Sequence, residues 1–349
     1  MDFVDTPGLL PAFVAETRPR AHGAGLDLYE YDRVTAPLTS LRDWPAAFGA
    51  VGRRYAAAAG RAAAEGRTVT AGTAYRSAAR WFHAAGLLPH PDRAAAARLA
   101  AEADEAMRQS LALLEAEAAR VEGEGFAGWL RRPAAAGDGT PVVLIVPGMD
   151  SGKEEFHALA DALLARGVAV LAIDGPGQGV LAATSAPEPD YHRVVGRALD
   201  ALAAHDGLDL ARTAVVGLSL GGYYAAMAAA HEPRLRAAAT VSGPYRLDWA
   251  GVVPFVGETL AQRCGGPEAA RAFVDRIDLT GLAPTITLPL LVVEGGEDRI
   301  PGVTNATVLA EQAPNAELLL VPHGNHLLGT ALPDWLPATA DWLAARLAR

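Results

Sequence analysis

TAVVGLSLGGYYAAMAAAH, residues 213–231, joins a strand-like segment to a helix-like one. The run TAVVG is short and apolar, as in a buried strand, and YYAAMAAAH has the composition of a helix. Between them, residues 217–221 form a G-x-S-x-G pattern around Ser219. On a sharp strand-to-helix turn this pattern lifts the serine hydroxyl above the sheet, and the glycines allow the two backbones to approach closely. We therefore predict that Ser219 is a nucleophile; the alternative is a plain glycine-rich turn.

Five further apolar runs resemble TAVVG. Together the six lie at 142–146, 168–173, 213–217, 237–242, 289–294 and 317–321. Helices are expected between most of them, near 153–166, 189–204, 221–231, 303–312 and 334–348. Short apolar strands that alternate with helices predict an α/β fold, with a mostly parallel sheet covered by helices on both faces. Residues 244–285 interrupt the alternation, and we interpret them as a small insertion over the strand ends.

The first third of the chain has a different character. Segments rich in alanine, leucine, arginine and glutamate predict helices over 47–66, 69–86 and 92–120. The first 45 residues contain five prolines and are expected to be irregular. From Val121 an alternating pattern predicts a short hairpin. We therefore divide the chain into a helical N-terminal cap region, 1–115, and an α/β catalytic domain, 116–349.

A serine hydroxyl is a weak nucleophile, so it needs a base and a carboxylate that orients the base. When the nucleophile lies on a turn of this kind, the acid and then the histidine follow on loops after later strands. The strand-like run at 289–294 leads into the loop GGEDRIP. We choose Asp298 as the acid over Glu294 and Glu297, because it lies in the loop beyond the strand and a proline follows soon after.

The base is expected on the loop after the last strand, which reads PHGNH. We choose His326 over His323 because it lies farther along, at the start of the last helix. A single histidine is more often structural than catalytic. Three groups in this order, each after the appropriate strand, make a structural role a poor explanation of the pattern.

Acyl-transfer chemistry also needs backbone N–H groups that hold an oxyanion. One should belong to Leu220, directly after the nucleophile, and the other to Met149 in the loop PGMDSGKEEF. Ser151 and Glu154 in this loop have the spacing of a capping box, so the stretch has either a helix-capping role or a direct one. Its Lys153, the only lysine in the chain, indicates a local ion pair or hydrogen bond that shapes the loop.

Composition excludes several classes of protein. A formal net charge of −10 argues against sequence-independent binding of nucleic acid, which needs a basic surface. A single cysteine, Cys264, excludes an intramolecular disulfide framework and a multi-cysteine zinc site. No apolar run approaches the roughly 20 residues that span a bilayer, and the start, MDFVD, is acidic where a secretory signal is basic. We expect a soluble cytoplasmic protein that does not bind membranes.

No cofactor and no metal ion are expected. The glycines of DGPGQG, residues 174–179, do not form the G-x-G-x-x-G that opens a dinucleotide-binding helix, and no Walker pattern is present. No cluster of His, Asp and Glu has the spacing of a metal site. Aromatic residues on the expected N-terminal helices are interpreted mainly as core, with one or two lining a pocket for a flat substrate. They are Tyr55, Tyr75, Trp81 and Phe82.

Several segments together resemble one family. They are GRTVTAGTAYRSAARWFHAA (66–85), GMDSGKEEF (148–156), DGPGQG (174–179), GLSLGGYYA (217–225), GGEDRIP (295–301) and GNH (324–326). The chain resembles the α/β-hydrolases of the esterase FrsA-like branch, which includes pigment polyketide-shortening hydrolases and 2,6-dihydroxypseudooxynicotine hydrolase. The resemblance implies an α/β-hydrolase fold with an N-terminal cap, and cleavage of esters or of carbon–carbon bonds next to a ketone. In some members it also implies an additional acid, for which Asp248 and Glu258 are the nearest candidates.

The favoured hypothesis is a serine hydrolase in which Ser219, Asp298 and His326 form a catalytic triad. Its substrate is expected to be a small or medium-sized aromatic or polyketide-like ketone or ester, with Asp248 and Lys153 as candidate auxiliary residues. Two alternatives stay open: a cyclase or acyl transferase that uses the same triad with an internal nucleophile, and a non-catalytic ligand-binding relative. The expected partner is a small-molecule substrate, and a homodimer is left open.

Overall fold

An eight-stranded sheet forms the centre of the α/β part of the chain. The computed structural model describes residues 3–90, 92–134 and 136–348; Met1 and Asp2, part of the acidic start noted above, lie outside these ranges. Within the described residues the sheet contains β1 Ala119–Gly123, β2 Phe126–Arg131, β3 Thr140–Val146, β4 Ala169–Asp174, β5 Leu208–Leu218, β6 Leu235–Val241, β8 Leu290–Gly295 and β10 Ala316–Val321. Two short strands, β7 Pro244–Leu247 and β9 Val303–Asn305, pair separately.

The sheet is mostly parallel, as predicted. Its strand order is β1-β2-β4-β3-β5-β6-β8-β10, and all neighbours from β4 onward pair in parallel. The hairpin β1–β2 is antiparallel and joins β4 antiparallel, so it adds an antiparallel edge. Successive β5 side chains enter two different cores: Val215 lies in one and Val216 in the other, both fully buried. A strand covered on both faces explains the nearly continuous apolar run.

Helices cover both faces of this sheet. Among the described residues the α-helices are α1 Leu9–Gly23, α2 Leu28–Thr35, α3 Trp44–Ala64, α4 Thr68–Ala85, α5 Arg93–Leu114, α6 His157–Leu164, α7 His192–Leu202, α8 Leu220–His231, α9 Pro254–Cys264, α10 Pro267–Val274, α11 Thr307–Gln312 and α12 Leu332–Arg346. Residues of α6 and α12 fill one core, and residues of α7, α8 and α11 fill the other. Within the described residues, no helix is both long and apolar enough to cross a membrane.

The first 45 residues are mostly helical, so the expectation of irregular structure there is wrong. Pro11 stands in the first turn of α1, where its missing N–H removes no intrahelical hydrogen bond. Pro19 lies inside the helix and does remove one. The helix nevertheless buries Phe13, Thr17 and Ala21, one residue per turn, and tertiary packing of this kind outweighs local propensity.

The N-terminal helices have an aromatic core of their own. Trp44 of α3 stacks on Phe48 with ring centroids 3.9 Å apart, and Phe48 contacts Trp81 of α4 at 5.3 Å. The indole N–H of Trp44 donates to the carbonyl group of Ala84. Trp129 of β2 belongs to the same cluster, so this core continues onto the edge of the sheet.

Several boundaries differ from the sequence expectation, among them the starts of two helices. The helix expected from residue 303 begins only at Thr307, because residues 303–305 pair with β7 as a strand. The helix expected from residue 153 begins at His157, after a series of turns. In both places the polar residues that precede the helix are used in other contacts, which local propensity does not reveal.

Buried polar contacts join α5 to the α/β part of the chain. Asp104 lies 2.9 Å from the ammonium group of Lys153 and 2.5 Å from Arg120 of β1. It also accepts a hydrogen bond of 3.0 Å from the indole N–H of Trp129. The Lys153 side chain is completely buried, so it depends on carboxylates in direct contact.

Deleting residues 1–115 should therefore give an insoluble or unfolded protein. The deletion removes one of the three carboxylates at Lys153 and uncovers the apolar surface around Trp129. It also removes Arg20 and His83 from the buried Glu155, and a buried charge that loses its partners costs several kcal/mol. The measurement is soluble yield and the thermal unfolding midpoint of the truncated chain against the full chain. A monomeric truncated protein with an unchanged midpoint would contradict this prediction.

Candidate active site

Ser219 lies on the sharp turn between β5 and α8. Its backbone has φ 55° and ψ −130°, a conformation that non-glycine residues rarely adopt and that costs on the order of 1–3 kcal/mol. The N–H of Ser219 donates to the carbonyl group of Val241 in β6. A Cβ on Gly217 would overlap the backbone of Gly221, so no larger residue fits on the strand side of the turn. The surrounding backbone therefore imposes the strained conformation at the serine.

The structure brings Ser219, His326 and Asp298 into one chain of hydrogen bonds. Nε2 of His326 lies 3.0 Å from Ser219 Oγ, and Nδ1 lies 2.8 Å from Asp298 Oδ2. The Asp298 side chain is 4% exposed and that of His326 is 29% exposed. His323, by contrast, is 62% exposed and contacts Asp334. This arrangement allows Nδ1–H of His326 to donate to the carboxylate while Nε2 accepts the serine proton.

Three unusual backbone conformations fix the segment that carries His326. Ser242, Leu327 and Leu328 have φ angles of 50°, 62° and 50°. The Ser242 hydroxyl accepts a hydrogen bond of 2.9 Å from the N–H of Leu327, and the N–H of Ser242 donates to Val293 of β8. The histidine is thereby anchored to the ends of β6 and β8, next to the strand that carries the serine.

Two backbone N–H groups near Ser219 have no acceptor among the described residues. One belongs to Leu220, the first residue of α8, where an N–H group has no intrahelical partner. The other belongs to Met149, in the loop between β3 and α6 (residues 147–156, the β3–α6 loop). The preceding Gly148 is so close that a Cβ built on it would lie 2.9 Å from Cβ of the serine. Neither N–H group is used by an acceptor among the described residues, as an oxyanion donor requires.

Arg20 of α1 holds the β3–α6 loop from the side of the N-terminal helices. Its guanidinium donates to both carboxylate oxygens of Glu155, at 2.6 and 2.9 Å, to Asp150 at 2.7 Å and to Ser151 Oγ at 3.1 Å. His83 of α4 lies 3.0 Å from the same Glu155 carboxylate. Although burial raises it, the charge of Arg20 lowers the pKa of Glu155 well below its ordinary value. A charged, bidentate pair in a buried place fixes the geometry of the loop.

Lys153 holds the same loop from its other side. Its ammonium lies 2.8 Å from Asp174 at the end of β4, 2.8 Å from Glu154 and 2.9 Å from Asp104 of α5. Its backbone N–H also donates to Asp174. Although burial lowers it, the surrounding carboxylates raise the pKa of Lys153 above its ordinary value. The structure thus contains the kind of local ion pair expected for the only lysine.

The capping-box interpretation of this loop is wrong. Ser151 accepts from Arg20, and Glu154 pairs with Lys153. The following helix, α6, begins later, at His157, without a side-chain cap. Ser151 and Glu154 therefore contact the buried cations Arg20 and Lys153 and do not cap the helix.

Gln178, from the DGPGQG segment, fixes the start of the β3–α6 loop. Its side-chain amide donates to the carbonyl groups of Pro147, at 2.6 Å, and Gly148, at 3.2 Å. Its Oε1 accepts from the N–H of Gly175 and from the hydroxyl of Tyr191. Every polar atom of this buried amide is used, so the segment has a structural role beside the serine.

A second carboxyl, that of Glu294, is buried next to Asp298. Glu294 is 1% exposed, and its Oε1 has no hydrogen-bond partner among the described residues. Its Oε2 lies 3.4 Å from the Asn305 amide, which also donates to the carbonyl oxygen of Asp298 at 2.8 Å. Burial, and after it the nearby charge of Asp298, raise the pKa of Glu294 to about 8. At neutral pH this carboxyl therefore keeps its proton.

Among the described residues, neither candidate auxiliary acid forms a hydrogen bond or ion pair with the triad. Asp248 is exposed, and its carboxylate accepts a hydrogen bond from the N–H of Ala250, so it closes its own turn. Glu258 is exposed on α9.

Burial raises the pKa of the half-buried Cys264 thiol to about 11, which keeps it protonated at neutral pH. The described residues contain no group of three or more His, Cys, Asp and Glu side chains suited to a metal ion.

A cleft lies between the N-terminal helices and the α/β part of the chain. It holds about 660 Å³ of empty space, its open mouth included. Its walls include Phe82 and His83 of α4, one face of α5, Asp150 and Ser151 of the β3–α6 loop, and Gln262 and Arg263 of α9. The loop residues in this wall directly follow Met149, so the cleft adjoins the segment that lies against Ser219.

Sequence reasoning missed the residues that reach the site from the N-terminal helices. Arg20 and its partner Glu155 are 135 residues apart, and no local pattern connects them. The one available signal was the acidic pair Glu154–Glu155 beside the only lysine, because such a charge cluster in a buried loop requires partners. Glu294 was considered only as an alternative acid.

Comparison with known proteins identifies related families. Residues 44–246 match the family described as esterase FrsA-like, and residues 191–349 match the prolyl oligopeptidase family. The 2,6-dihydropseudooxynicotine hydrolase of Paenarthrobacter nicotinovorans is 31% identical over 229 residues, 62% of each chain. The hydrolyase poxO of Penicillium oxalicum is 37% identical over 199 residues, 52% of this chain and 47% of that protein. The aligned region thus spans less than two thirds of either relative.

Solved structures confirm the expected α/β-hydrolase fold with an N-terminal helical region. The crystal structure of the 2,6-dihydroxy-pseudo-oxynicotine hydrolase superimposes with a TM-score of 0.83 and 27% identity, covering 95% of both chains. AbyA5 superimposes with a TM-score of 0.72 and 20% identity, covering 99% of this chain and 100% of its own, and shows a shared fold.

Glu294→Gln should flatten the dependence of folding stability on pH. The native carboxyl keeps its proton up to a pKa of about 8, whereas the ordinary value of 4.5 applies when the chain unfolds. Between these values the native state binds more protons, so the wild-type free energy of unfolding falls as pH rises. Relative to the wild type, the glutamine variant should gain roughly 1 kcal/mol per pH unit across this window, measured by urea unfolding at pH 5, 6, 7 and 8.

Glu297→Gln provides the matched control. Glu297 lies three residues further along and is exposed, so its substitution should leave the slope unchanged. Parallel stability curves for the wild type and Glu294→Gln would show that the buried carboxyl ionises normally, against the prediction.

Proposed function

Because the chain belongs to the esterase FrsA-like family, we propose that it is a serine hydrolase with the triad Ser219, His326 and Asp298. The observation that carries this proposal is the hydrogen-bonded chain from Asp298 through His326 to Ser219 Oγ, with links of 2.8 and 3.0 Å. The serine stands on a strained turn, and the N–H groups of Leu220 and Met149 lack an acceptor in the part of the chain that the structure describes. Nucleophile, base, orienting acid and oxyanion donors thus meet at one place, as acyl transfer requires.

The first half of the proposed reaction transfers the acyl group to the enzyme. His326 Nε2 removes the proton from Ser219 as Oγ bonds to the substrate carbonyl carbon, and the N–H groups of Leu220 and Met149 hold the oxyanion. The intermediate collapses when the bond to the leaving group breaks, and the imidazolium donates its proton to that group. Asp298 keeps the Nδ1 proton in place and stabilises the imidazolium.

The second half releases the acyl group. Water gives a proton to His326 Nε2 as its oxygen bonds to the acyl carbon, and the oxyanion forms at the same N–H groups. The bond to Ser219 Oγ then breaks, and the serine takes the proton back from the imidazolium. Each proton that the histidine removes is returned within the same half-reaction.

The proposed substrate is a carbonyl compound of specialised metabolism, cleaved at an ester or at a carbon–carbon bond next to a ketone. An ester needs only the groups named above, because an oxygen leaving group accepts its proton from His326. A carbon leaving group must in addition be stabilised within the substrate, as an enolate or on an electron-poor ring, before it is protonated. Asp248 closes its own turn, so the proposal gives it no part in this step. The hydrolase names of the relatives support this class of reaction.

Ser219→Ala should abolish turnover while leaving the fold intact. Loss of the nucleophile, or of the base in His326→Ala, should lower kcat by on the order of 10⁴ to 10⁶. The measurement is hydrolysis of a 4-nitrophenyl ester together with labelling by a fluorophosphonate probe, which should mark the wild type and not Ser219→Ala.

His323→Ala is the control for the base. His323 lies three residues from His326 and is largely exposed, so the variant should keep activity within a few-fold of the wild type. Full activity in His326→Ala, or an inactive His323→Ala, would refute the assigned base. Circular dichroism of each variant separates lost chemistry from lost structure.

Arg20→Met should lower kcat because the β3–α6 loop loses the contacts that hold it in position. Arg20 does not touch the triad, but its contacts with Asp150, Ser151 and Glu155 hold the residues that follow Met149. A displacement of about 1 Å at a reacting group reduces the rate by about 100-fold, so we expect a loss of roughly 10- to 100-fold in kcat. KM should change less than kcat, since the donors act on the transition state.

Arg18→Met serves as the control on the same helix. Arg18 pairs with Asp32 at the surface, and its side chain is 44% exposed, so its loss should leave kcat unchanged. Arg20→Lys keeps the charge without the bidentate fork and should lie between the wild type and Arg20→Met. Equal activity of Arg18→Met and Arg20→Met, with both proteins folded, would exclude a positioning role for Arg20.

A further inference from the structure

Arg263, in the wall of the cleft, is a cation without a partner among the described residues. It stands in the last turn of α9, half-buried, and its Nε is buried. Among the described residues it forms no hydrogen bond and no ion pair. Asp150 and Asp174 act on its charge from a distance, but each of these carboxylates contacts another cation. Burial lowers the pKa of Arg263, as expected for a charge held away from water without a counter-ion in contact.

The other charged groups of the cleft wall already have partners. The pairs are Asp150 with Arg20, Glu154 with Lys153, and His83 with Glu155. Arg93, at the N-terminus of α5, is exposed and donates one hydrogen bond to the carbonyl group of Ala183. The guanidinium of Arg263 is thus the charged group in this wall whose hydrogen-bonding capacity is unused within the described residues.

Much of the remaining wall is apolar. Ala96, Ala97, Ala100 and Ala103 lie along one face of α5, and Phe82 of α4 belongs to the same wall. Alanine side chains leave room for a ligand, whereas Phe82 is 3% exposed and adds little surface. A ligand that matches this wall has an apolar body and one anionic end.

We propose that this cleft binds a carboxylate group of the substrate through the guanidinium of Arg263, with Arg93 adding positive charge. A guanidinium presents a planar fork that matches a carboxylate, and the terminal nitrogens of Arg263, unlike its buried Nε, are not closed off from the cleft. The inference rests on the proposed function, since the substrate carbonyl must reach Ser219 while its carboxylate is held. Asp150 and Ser151 in the cleft wall directly follow Met149, so the cleft adjoins the loop that carries a proposed oxyanion donor.

Binding is tested with 4-phenylbutanoate and its neutral analogue 4-phenylbutanamide, by titration calorimetry on the full chain. The wild type should bind the carboxylate about ten-fold or more tightly than the amide, which is the size of a charge-assisted hydrogen bond at a buried site. Arg263→Met should remove the preference, and Arg263→Lys should keep part of it. Arg271→Met, at an exposed arginine on the neighbouring α10, is the matched control and should keep it fully.

A second measurement connects this subsite with the serine. The carboxylate ligand should protect Ser219 from a fluorophosphonate probe in the wild type and in Arg271→Met, but not in Arg263→Met. Labelling without ligand reports the nucleophile alone. A failure of the proposed function therefore appears as an unlabelled wild type, while calorimetry still decides whether Arg263 binds the carboxylate.

Equal binding of the two ligands by the wild type would overturn the proposal, and so would a preference that survives in Arg263→Met. Carboxylate binding through Arg263 without protection of a reactive Ser219 would also overturn it, because the bound group would then lie off the substrate's path. The unfolding midpoint of each variant shows whether a lost preference comes from lost structure. If Arg263→Met does not fold, Arg263→Lys is the deciding variant. A preference for the carboxylate over the amide equal to that of the wild type then argues against recognition by the planar guanidinium.

Discussion

Two buried cations, Arg20 and Lys153, connect the N-terminal helices with the β3–α6 loop. Removing an ion from water costs several kcal/mol even after relaxation, so each cation needs carboxylates in direct contact. Lys153 contacts three carboxylates: Asp174 of β4, Glu154 of its own loop and Asp104 of α5. Arg20 belongs to α1 and takes both of its carboxylates from the loop. The helices cannot satisfy the charge of Arg20 alone, and without α1 the loop carboxylates Asp150 and Glu155 lose this cation, so each part depends on the other.

The same contacts restrict the loop that carries Met149. An irregular loop has no ladder of backbone hydrogen bonds to hold it, and an oxyanion site is effective only when its donors are oriented before the reaction. Here Gln178 holds the first two carbonyl groups of the loop, Lys153 holds its middle and Glu155 its end. Buried ion pairs are poor sources of net stability but fix geometry well, which fits their concentration beside Ser219 in the proposed mechanism.

Local pattern and sheet topology explain what could be predicted from the sequence. Parallel strands bring their carboxyl ends to one edge, so Ser219, Asp298 and His326 could be expected to converge although they are far apart in the chain. Local propensity failed at α1, where burial of one residue per turn outweighs an internal proline. It also failed for Arg20, because arginines are numerous in this chain and nothing in the neighbouring sequence distinguishes a buried one.

The carboxyl groups of Glu294 and Asp298, near the end of β8, differ in protonation because their surroundings differ. No cation among the described residues contacts the buried Glu294, whereas Asp298 accepts a hydrogen bond from Nδ1–H of His326. Two neighbouring negative charges oppose each other, so at neutral pH the proton stays on Glu294, whose pKa is raised by burial and then by Asp298. In the proposed mechanism this difference matters for the histidine. A second negative charge beside the imidazolium would hold its proton more firmly and make it a weaker acid towards the leaving group. A neutral Glu294 leaves the Asp298 carboxylate to orient and stabilise His326 without adding that charge.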